Sequence, residues 1–358
     1  MDKQYYMVFY VGYPYYFPHF LPISKYLKIQ NKKILYILSD KQNTAIMERI
    51  VKDENLDYLL GEENLYKVKT KFIFFANLFH AKESITGIKL FLWHGVGTKP
   101  YDFEKALIDN DILFTEGTYK YGKLVAEFPQ YKSKIKKVGY SKLDSVLNVT
   151  EDDLSMLRKK YNIDSSKKTI LYAPTFYPSS IEKMSDTFPE DFRDCNIIVK
   201  AHYLTFERKR YKKQIKKFEI WTKYDNCTIC DTSEYNLVPF LILADIMISD
   251  ESAAVFEFTA INKPVILNKF LKLRWSYILN PKKLLKRLDQ GMDRYRLIGD
   301  NAKNYKEMVE MVYDNISNPK KYEKARLAMS GDICGVVDGK VSERIYKVTE
   351  DLLIKKDI

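Results

Sequence analysis

Histidine is the side chain best suited to moving a proton near neutral pH, and this chain of 358 residues has four of them. Two lie in short motifs of matching design. His94 falls in Phe91-Leu92-Trp93-His94-Gly95-Val96-Gly97-Thr98-Lys99, where an apolar run meets a glycine-rich turn. His202 falls in Ile197-Ile198-Val199-Lys200-Ala201-His202, where a second apolar run delivers a lysine and a histidine to its end. Open α/β sheets keep their ligands at the C-terminal ends of strands. The two motifs therefore read as halves of one phosphate-handling site, one in each half of the chain, with a cleft between two domains. A third segment runs from Leu243 to Phe258 and reads as a buried strand ending at Ser249-Asp250, followed at once by a helix. Ser252 and the amides of Ala253 and Ala254 then sit at a helix N-terminus, where unpaired N–H groups and the helix dipole favour an anion. Glu257 lies a turn and a half further on, within reach of a ribose if the helix presents that face.

Each feature has a plainer explanation. His94 alone could close a strand end, His202 could make a structural hydrogen bond, and Asp250 or Ser252 could simply cap the helix. Their combination favours chemistry. His19, in Phe17-Pro18-His19-Phe20, reads as part of a proline-rich aromatic loop that could line an acceptor or lipid groove, or merely pack. His80 has no motif around it. Asp109-Asn110-Asp111 matches the DxD of metal-dependent glycosyltransferases but precedes an apolar run and reads as a turn, so no essential metal is expected. Gly95-Val96-Gly97-Thr98-Lys99 lacks the GxxxxGK[ST] spacing of a nucleotide-hydrolase phosphate loop. Cys227-Thr228-Ile229-Cys230 has no second CxxC to complete a zinc site.

A formal charge of +12 calls for an anionic partner. No zinc-finger spacing, RNP-like motif or helix-turn-helix signature accompanies it, so nucleic acid is not expected. One basic segment spans 206–224, with Tyr211, Ile215, Phe218 and Trp221 spaced as one stripe of a single helix. A second runs through Lys269, Lys272, Arg274, Lys282, Lys283, Lys286 and Arg287, with Leu271, Leu273, Trp275, Leu284 and Leu285 between. Both suit an anionic membrane surface as partner, and both also suit a helix with a solvated basic back. No window approaches a transmembrane helix, and the start of the chain reads as a first strand rather than a signal peptide. The expected place is the cytosol.

The elements that must position these residues alternate, the pattern of parallel sheets flanked by helices. Strands are expected at 5–11, 33–38, 72–75, 89–93, 112–115 and 135–138, then at 169–175, 195–199, 227–230, 245–249 and 264–267. Helices are expected at 119–128, 154–161, 206–223, 234–243, 252–261, 304–329 and 342–354. A polar stretch places the boundary near 145–168. The expected units are thus 1–150 and 165–330, both Rossmann-like, with 331–358 as a helix packing back on the first.

The ordered set of motifs resembles the CDP-glycerol glycerophosphotransferase family of teichoic-acid primases and polymerases and related capsule enzymes. It consists of Trp93-His94-Gly95 with Lys99, Val138-Gly139-Tyr140 with Asp144, Ile170 to Thr175, Lys200-Ala201-His202, Ser249-Asp250-Glu251-Ser252 with Phe256-Glu257-Phe258, Asn262-Lys263-Pro264-Val265-Ile266, and Asp338-Gly339-Lys340-Val341-Ser342-Glu343-Arg344-Ile345. The resemblance covers roughly residues 70–350. It departs where the family has two serines after an aspartate and a tyrosine, since here the run is Asp250-Glu251-Ser252-Ala253. Tyr203 stands in place of a frequent proline, and Glu257 in place of an aspartate.

The resemblance implies an α/β fold of the GT-B class, two Rossmann-like domains with parallel sheets facing a cleft, the acceptor on the first and the donor nucleotide on the second. It implies transfer of a glycerol-phosphate or related polyol-phosphate from a CDP-activated donor to a hydroxyl of a lipid-linked or polymer acceptor. In that scheme His94 is the general base, with Gly95, Lys99 and His19 on the acceptor side. His202 is the second catalytic histidine, and Lys200, Asp250, Ser252, Ala253, Glu257 and Arg274 serve the donor phosphates and nucleotide. No cofactor is expected, because the CDP-polyol is a substrate. A sugar-nucleotide transferase or epimerase on the same scaffold, and an inactive nucleotide- or polymer-binding relative, remain the alternatives.

Overall fold

The computed structural model describes residues 4–79, 84–97, 102–280, 282, 295 and 297–356. The chain divides into two compact units. The first comprises Met1–Val96, Tyr101–Leu147 and Gly335–Ile358, and the second comprises Asn148–Cys334 with Gly97–Pro100.

In the first unit the elements run β1 (Tyr5–Val11), α1 (Phe17–Ile29), β2 (Ile34–Leu38), α2 (Thr44–Asp53), β3 (Tyr58–Leu60), α3 (Asn64–Lys67), β4 (Thr70–Phe75), β5 (Ile88–Leu92), α4 (Phe103–Asp109), β6 (Ile112–Thr115), α5 (Thr118–Glu127) and β7 (Ile135–Lys137). Every pairing is parallel, in the order β3-β2-β1-β4-β5-β6-β7. Strands buried on both faces carry continuous apolar runs instead of alternation, as in Ile34-Leu35-Tyr36-Ile37-Leu38, which is buried throughout. The order reverses between β1 and β4, the switch point at which such sheets open a crevice for ligands.

The second unit repeats the plan with α6 (Glu151–Lys160), β8 (Lys168–Ala173), β9 (Cys195–Val199), α7 (Tyr203–Glu207), α8 (Lys212–Trp221), β10 (Cys227–Ile229), α9 (Val238–Leu243), β11 (Ile246–Ser249), α10 (Ala253–Ala260), β12 (Val265–Asn268), α11 (Trp275–Ile278), β13 (Asp300–Ala302), α12 (Tyr305–Ser317) and α13 (Glu323–Ile333). Its sheet, again parallel, has the order β10-β9-β8-β11-β12-β13, with the switch between β8 and β11. Helix α6 begins with a complete capping box, in which Thr150 and Asp153 satisfy each other's amides.

Several elements differ from expectation. The segment 17–29 is a helix despite Pro18 and Pro22. Pro18 falls in its first turn, where the missing N–H costs nothing, and Phe17, Phe20, Leu21, Ile23 and Leu27 bury one face. The basic segment 206–223 is broken into α7, a 3₁₀ turn at Lys209–Tyr211 and α8. Its apolar stripe turns inward, with Phe218 and Trp221 in the core cluster and Ile215 packed against it. The pattern 304–329 is two helices separated at Asn318-Pro319, where proline cannot continue the first. Strands β3 and β13 and helices α2, α3, α4 and α11 have no counterpart in the expected set.

The helix Val341–Lys356 belongs to the first unit. Asp144 accepts hydrogen bonds from the Val341 and Ser342 amides at 3.1 and 2.9 Å and from the Ser342 hydroxyl at 2.9 Å, capping that helix from 197 residues away. Arg344 donates to both oxygens of Asp338 and to the Val138 carbonyl. At the other end of the helix Tyr6 bonds to Thr349 and Glu350. The Val138…Asp144 and Asp338…Arg344 motifs are thus two sides of one clasp. Asp144→Ala should leave two helix-start amides unsatisfied, at a cost of about 1–3 kcal/mol. Hydrogen exchange across 341–356 should quicken and the thermal midpoint fall; unchanged exchange would mean that apolar packing alone holds the helix.

Candidate functional site

In the first unit the switch point brings three loops together. Tyr13, Tyr15 and Tyr16 follow β1, Ala76 follows β4, and His94 follows β5. The His94 ring lies 4.9 Å from Tyr16 and 5.5 Å from Tyr15, and its Nδ1 lies 2.7 Å from the Ala76 carbonyl oxygen. A carbonyl can only accept, so Nδ1 carries the proton and Nε2 presents a lone pair. Burial pushes the His94 pKa down, the bond to Ala76 opposes this, and the Lys120 charge lowers it further. The ring is therefore neutral near pH 7 and arranged as a proton acceptor.

His19 is not in a loop and lines no groove: it lies within α1 and is 2% exposed. Its ring packs edge-on against Tyr140 at 5.3 Å and meets the His94 backbone, and its carbonyl accepts from the Ser141 hydroxyl. Burial, helped by the nearby Lys142 charge, holds its pKa well below the ordinary value. It supports His94 from behind. Gly95 is buried in the turn. Lys99 and His80 lie outside the described residues.

In the second unit the pieces gather on the loop after β8, Pro174-Thr175-Phe176-Tyr177-Pro178-Ser179-Ser180. Asp250, which follows β11 and has no solvent exposure, accepts from the Thr175 amide (3.0 Å), the Ser179 hydroxyl (3.1 Å) and the Ser180 amide (3.2 Å). Its carboxylate is spent on the loop, which corrects the expectation that it faces donor phosphate. Burial pushes its pKa up to about 6 against those same bonds. The loop then presents aromatic rings. Phe176 meets the His202 ring at 4.7 Å and Tyr211 at 5.9 Å. Tyr177 lies 4.0 Å under the Arg274 guanidinium, which also donates to the Tyr211 hydroxyl at 3.2 Å. Residues 72 positions apart, His202 and Arg274, are joined in this way through three aromatic rings.

His202 caps α7: its Nδ1 accepts from the Leu204 amide at 3.1 Å. An accepting Nδ1 has no proton, so in the neutral ring Nε2–H is the donor. This is the opposite tautomer from His94. Lys200 is half-buried one position past β9, with its charge felt by Asp231 and Cys230. Ser252 is the N-cap residue of α10 but makes no side-chain cap. The Ser249 hydroxyl donates to the Ala173 carbonyl at 2.6 Å, so in the 3.1 Å contact between the two serines Ser252 donates. The Ser252 side chain therefore does not take up the first amides of α10, at half-buried Ala253 and Ala254. The acid next to this helix start, Glu251, is paired with Lys269 at 2.7 Å, so it does not repel an anion there. Glu257 is 3% exposed; α10 turns it into the protein, away from any ribose.

Two features escaped the sequence reading. The rings Phe176 and Tyr177 gave no signal beyond following a strand. Glu116 follows β6 at the offset by which His94 follows β5, since Leu92 pairs with Phe114, and its partner Lys120 is buried with it. The Cys227 and Cys230 thiols are buried and pushed up to about 12, unsuited to nucleophilic chemistry. Among the described residues no three His, Cys, Asp or Glu side chains converge as metal ligands.

The family model for CDP-Glycerol:Poly(glycerophosphate) glycerophosphotransferase matches residues 74–350. The teichoic acid glycerol-phosphate primase of Bacillus subtilis is 30% identical over 189 residues, 52% of this chain and 44% of that protein. The teichoic acid glycerol-phosphate transferase of Staphylococcus aureus is 23% identical over 272 residues, 70% of this chain and 64% of that one. The chain thus spans less than two thirds of the curated relatives it matches. The wall teichoic acid polymerase TagF superposes with a TM-score of 0.71 at 18% identity, over 98% of this chain and 89% of that one. A TagF variant soaked with CDPG gives 0.72 at 17% identity. At such identity the likeness establishes the fold, the GT-B class with a parallel sheet in each unit.

Asp250 yields a pH signature. Its folded-state pKa, raised to about 6, exceeds the ordinary aspartate value, so the folded state binds that proton more tightly. The resulting stability is complete below about pH 4, declines as pH rises, and is gone above about 6. The stability difference between wild type and Asp250→Asn should therefore shrink by roughly 2–3 kcal/mol across that window. Parallel denaturation series at stepped pH would measure it, and a difference independent of pH would contradict the assignment.

Proposed function

Because the chain belongs to the CDP-glycerol:poly(glycerophosphate) glycerophosphotransferase family, we propose that it transfers a glycerol-phosphate, or a related polyol-phosphate, from a CDP-activated donor to a hydroxyl of a cell-wall or capsule acceptor, lipid-linked or polymeric. The observation that carries the reading is the pair of opposite tautomers, each imposed by the backbone beyond a strand end of its sheet. An acceptor hydroxyl needs a proton acceptor, and a departing phosphate needs proton or hydrogen-bond donors. One histidine is arranged as each.

In the proposed reaction the acceptor oxygen attacks the phosphorus that bears the glycerol. Its O–H bond breaks, with the proton passing to His94 Nε2, and the new P–O bond forms a phosphodiester. The phosphoanhydride bond breaks and CMP leaves with the electron pair. Such transfer depends on positioning and charge stabilisation more than on covalent help from the protein. His202 Nε2–H, the Arg274 guanidinium, Lys200 and the first amides of α10 are the groups of the second unit suited to the donor diphosphate. The flat guanidinium, held between Tyr177 and Tyr211, loses little freedom on binding phosphate. The reading needs no metal. Lys99 and Gly95 remain proposed on the acceptor side, while Asp250, Glu257 and His19 are reassigned to supporting the site.

We also infer attachment to an anionic membrane face. No helix among the described residues is long and apolar enough to cross a bilayer. The stripe 211/215/218/221 packs inward, so the second basic stretch supports this inference: Trp275, Ile278 and Leu279 are 78%, 52% and 80% exposed, beside exposed Lys272 and Lys282. Apolar side chains ringed by cations suit an interfacial contact.

His94→Gln and His202→Gln should each reduce CMP release from CDP-glycerol by at least about a hundredfold with little change in melting temperature. A variant that retained most of its rate would remove that histidine from the mechanism. Excess EDTA should leave turnover unchanged; its loss, restored by added divalent ion, would contradict the metal-free scheme. Trp275→Ser with Leu279→Ser should abolish flotation with anionic vesicles, and equal flotation with neutral vesicles would rule out the electrostatic part.

A further inference from the structure

A buried ion pair lies beside His94 that the proposed chemistry does not use. Glu116 follows β6 and Lys120 stands in the first turn of α5, its ammonium 2.8 and 2.7 Å from the two carboxylate oxygens. The side chains are 0% and 4% exposed. Leu92 pairs with Phe114, so two residues onward His94 and Glu116 occupy matching positions on adjacent strand ends, with strands about 4.8 Å apart. The chain near 335 closes over the place: a Cβ on Gly335, whose φ is +79°, would come 2.6 Å from the Glu116 carbonyl oxygen. On a surface, an i,i+4 pair would need no explanation beyond modest helix support. Buried, two charges lose their hydration, and apolar side chains of the same shape would often serve stability equally well.

We propose that the Glu116–Lys120 pair is a positioning device for His94: the ammonium acts on the imidazole to keep it neutral, with Nδ1–H on Ala76 and the lone pair at Nε2, while the carboxylate offsets enough charge for the ring to take up a proton during turnover. This deepens the reading of His94 as the base and rests on it. The charge count shows why both members are needed. When the ring is protonated, the three groups together carry +1. Without Glu116 they would carry +2 and proton uptake would be opposed. Without Lys120 they would be neutral, and the resting ring would hold a proton more readily. The groups acting on or packed against His94 are Lys120 from α5, His19 from α1, and Tyr15 and Tyr16 beyond β1, with Lys142 beside His19 and Glu116 at the matching position beyond β6. Burial and Lys120 act in the same direction on the His94 titration, and the Ala76 bond acts against them.

Removing one partner would strand a buried charge, so the informative variant is the double substitution Lys120→Met with Glu116→Gln. Two readouts separate this inference from the reading it rests on. The first is an NMR titration of the His94 C2 proton, assigned by its loss in His94→Gln and feasible with four histidines in the chain. The double variant keeps the same net charge as wild type, so the readout is the charge that acts on the ring, which is Lys120, and the midpoint should move upward toward the ordinary histidine value. The second is the pH dependence of kcat/KM with CDP-glycerol, whose acid limb should shift upward by the same amount, so that activity near about pH 6 falls further below its plateau than in wild type. An unmoved His94 midpoint in a folded double variant would overturn the proposal and leave the pair as packing. If wild type shows no transfer with any donor while the midpoint still moves, the catalytic reading fails and the electrostatic coupling stands.

Discussion

A carboxylate without solvent holds the functional end of the second unit together. Asp250 is out of reach of water, and burying an unpaired charge is among the costliest things a fold can do. Three donors from one short loop offset part of that cost, and in doing so they give the loop its shape. The loop then supplies the ring beneath His202 and the ring beneath Arg274. The Lys272 amide donates to the Ser179 carbonyl and draws the Arg274 segment against the same loop. Replacing this carboxylate disturbs the supports of both side chains, although it touches neither.

The first unit solves the same problem with different groups. Its anchor is Asp144, which ties the helix Val341–Lys356 to the corner after β7. That corner carries Tyr140 and Ser141, and these hold His19 by its ring and its carbonyl. His19 in turn stands against the His94 backbone. In both units a buried acid anchors a segment of hydroxyls and aromatic rings that supports a histidine placed beyond a strand end. The histidines differ in which main-chain group they meet. A carbonyl at Nδ1 makes one an acceptor at Nε2, and an amide at Nδ1 makes the other a donor.

Much of this was legible in the chain. Apolar runs located eleven of the thirteen strands. Those missed, β3 and β13, are edge strands of only three residues: the apolar run of β3 is too short and too exposed to mark a strand, and β13 is Asp300-Asn301-Ala302, with no apolar run. Helix α1 was hidden by its prolines and the break between α12 and α13 by a continuous apolar periodicity. The segment 206–223 carried the stripe of one helix, yet it folds as three pieces whose apolar side serves the core. Exposure in the second basic stretch, at Trp275 and Leu279, could not be read from composition, because the same residues suit a core equally well.

The sequence by itself determined the α/β plan, the strand ends that carry His94 and His202, and the ordered motifs of the family, because strand burial and helix starts are local in their physics. Only the tertiary structure decided what those motifs do. It turned Asp250, Glu257, His19, Asp144 and Arg344 from apparent ligands or unexplained motif residues into buried or clasping supports, brought Phe176 beneath His202 and Tyr177 beneath Arg274, and set the tautomer of each histidine. Those outcomes depend on which backbone groups and rings arrive from distant segments, and burial and hydrogen-bond partners are properties of that arrival rather than of any residue's neighbours in the chain.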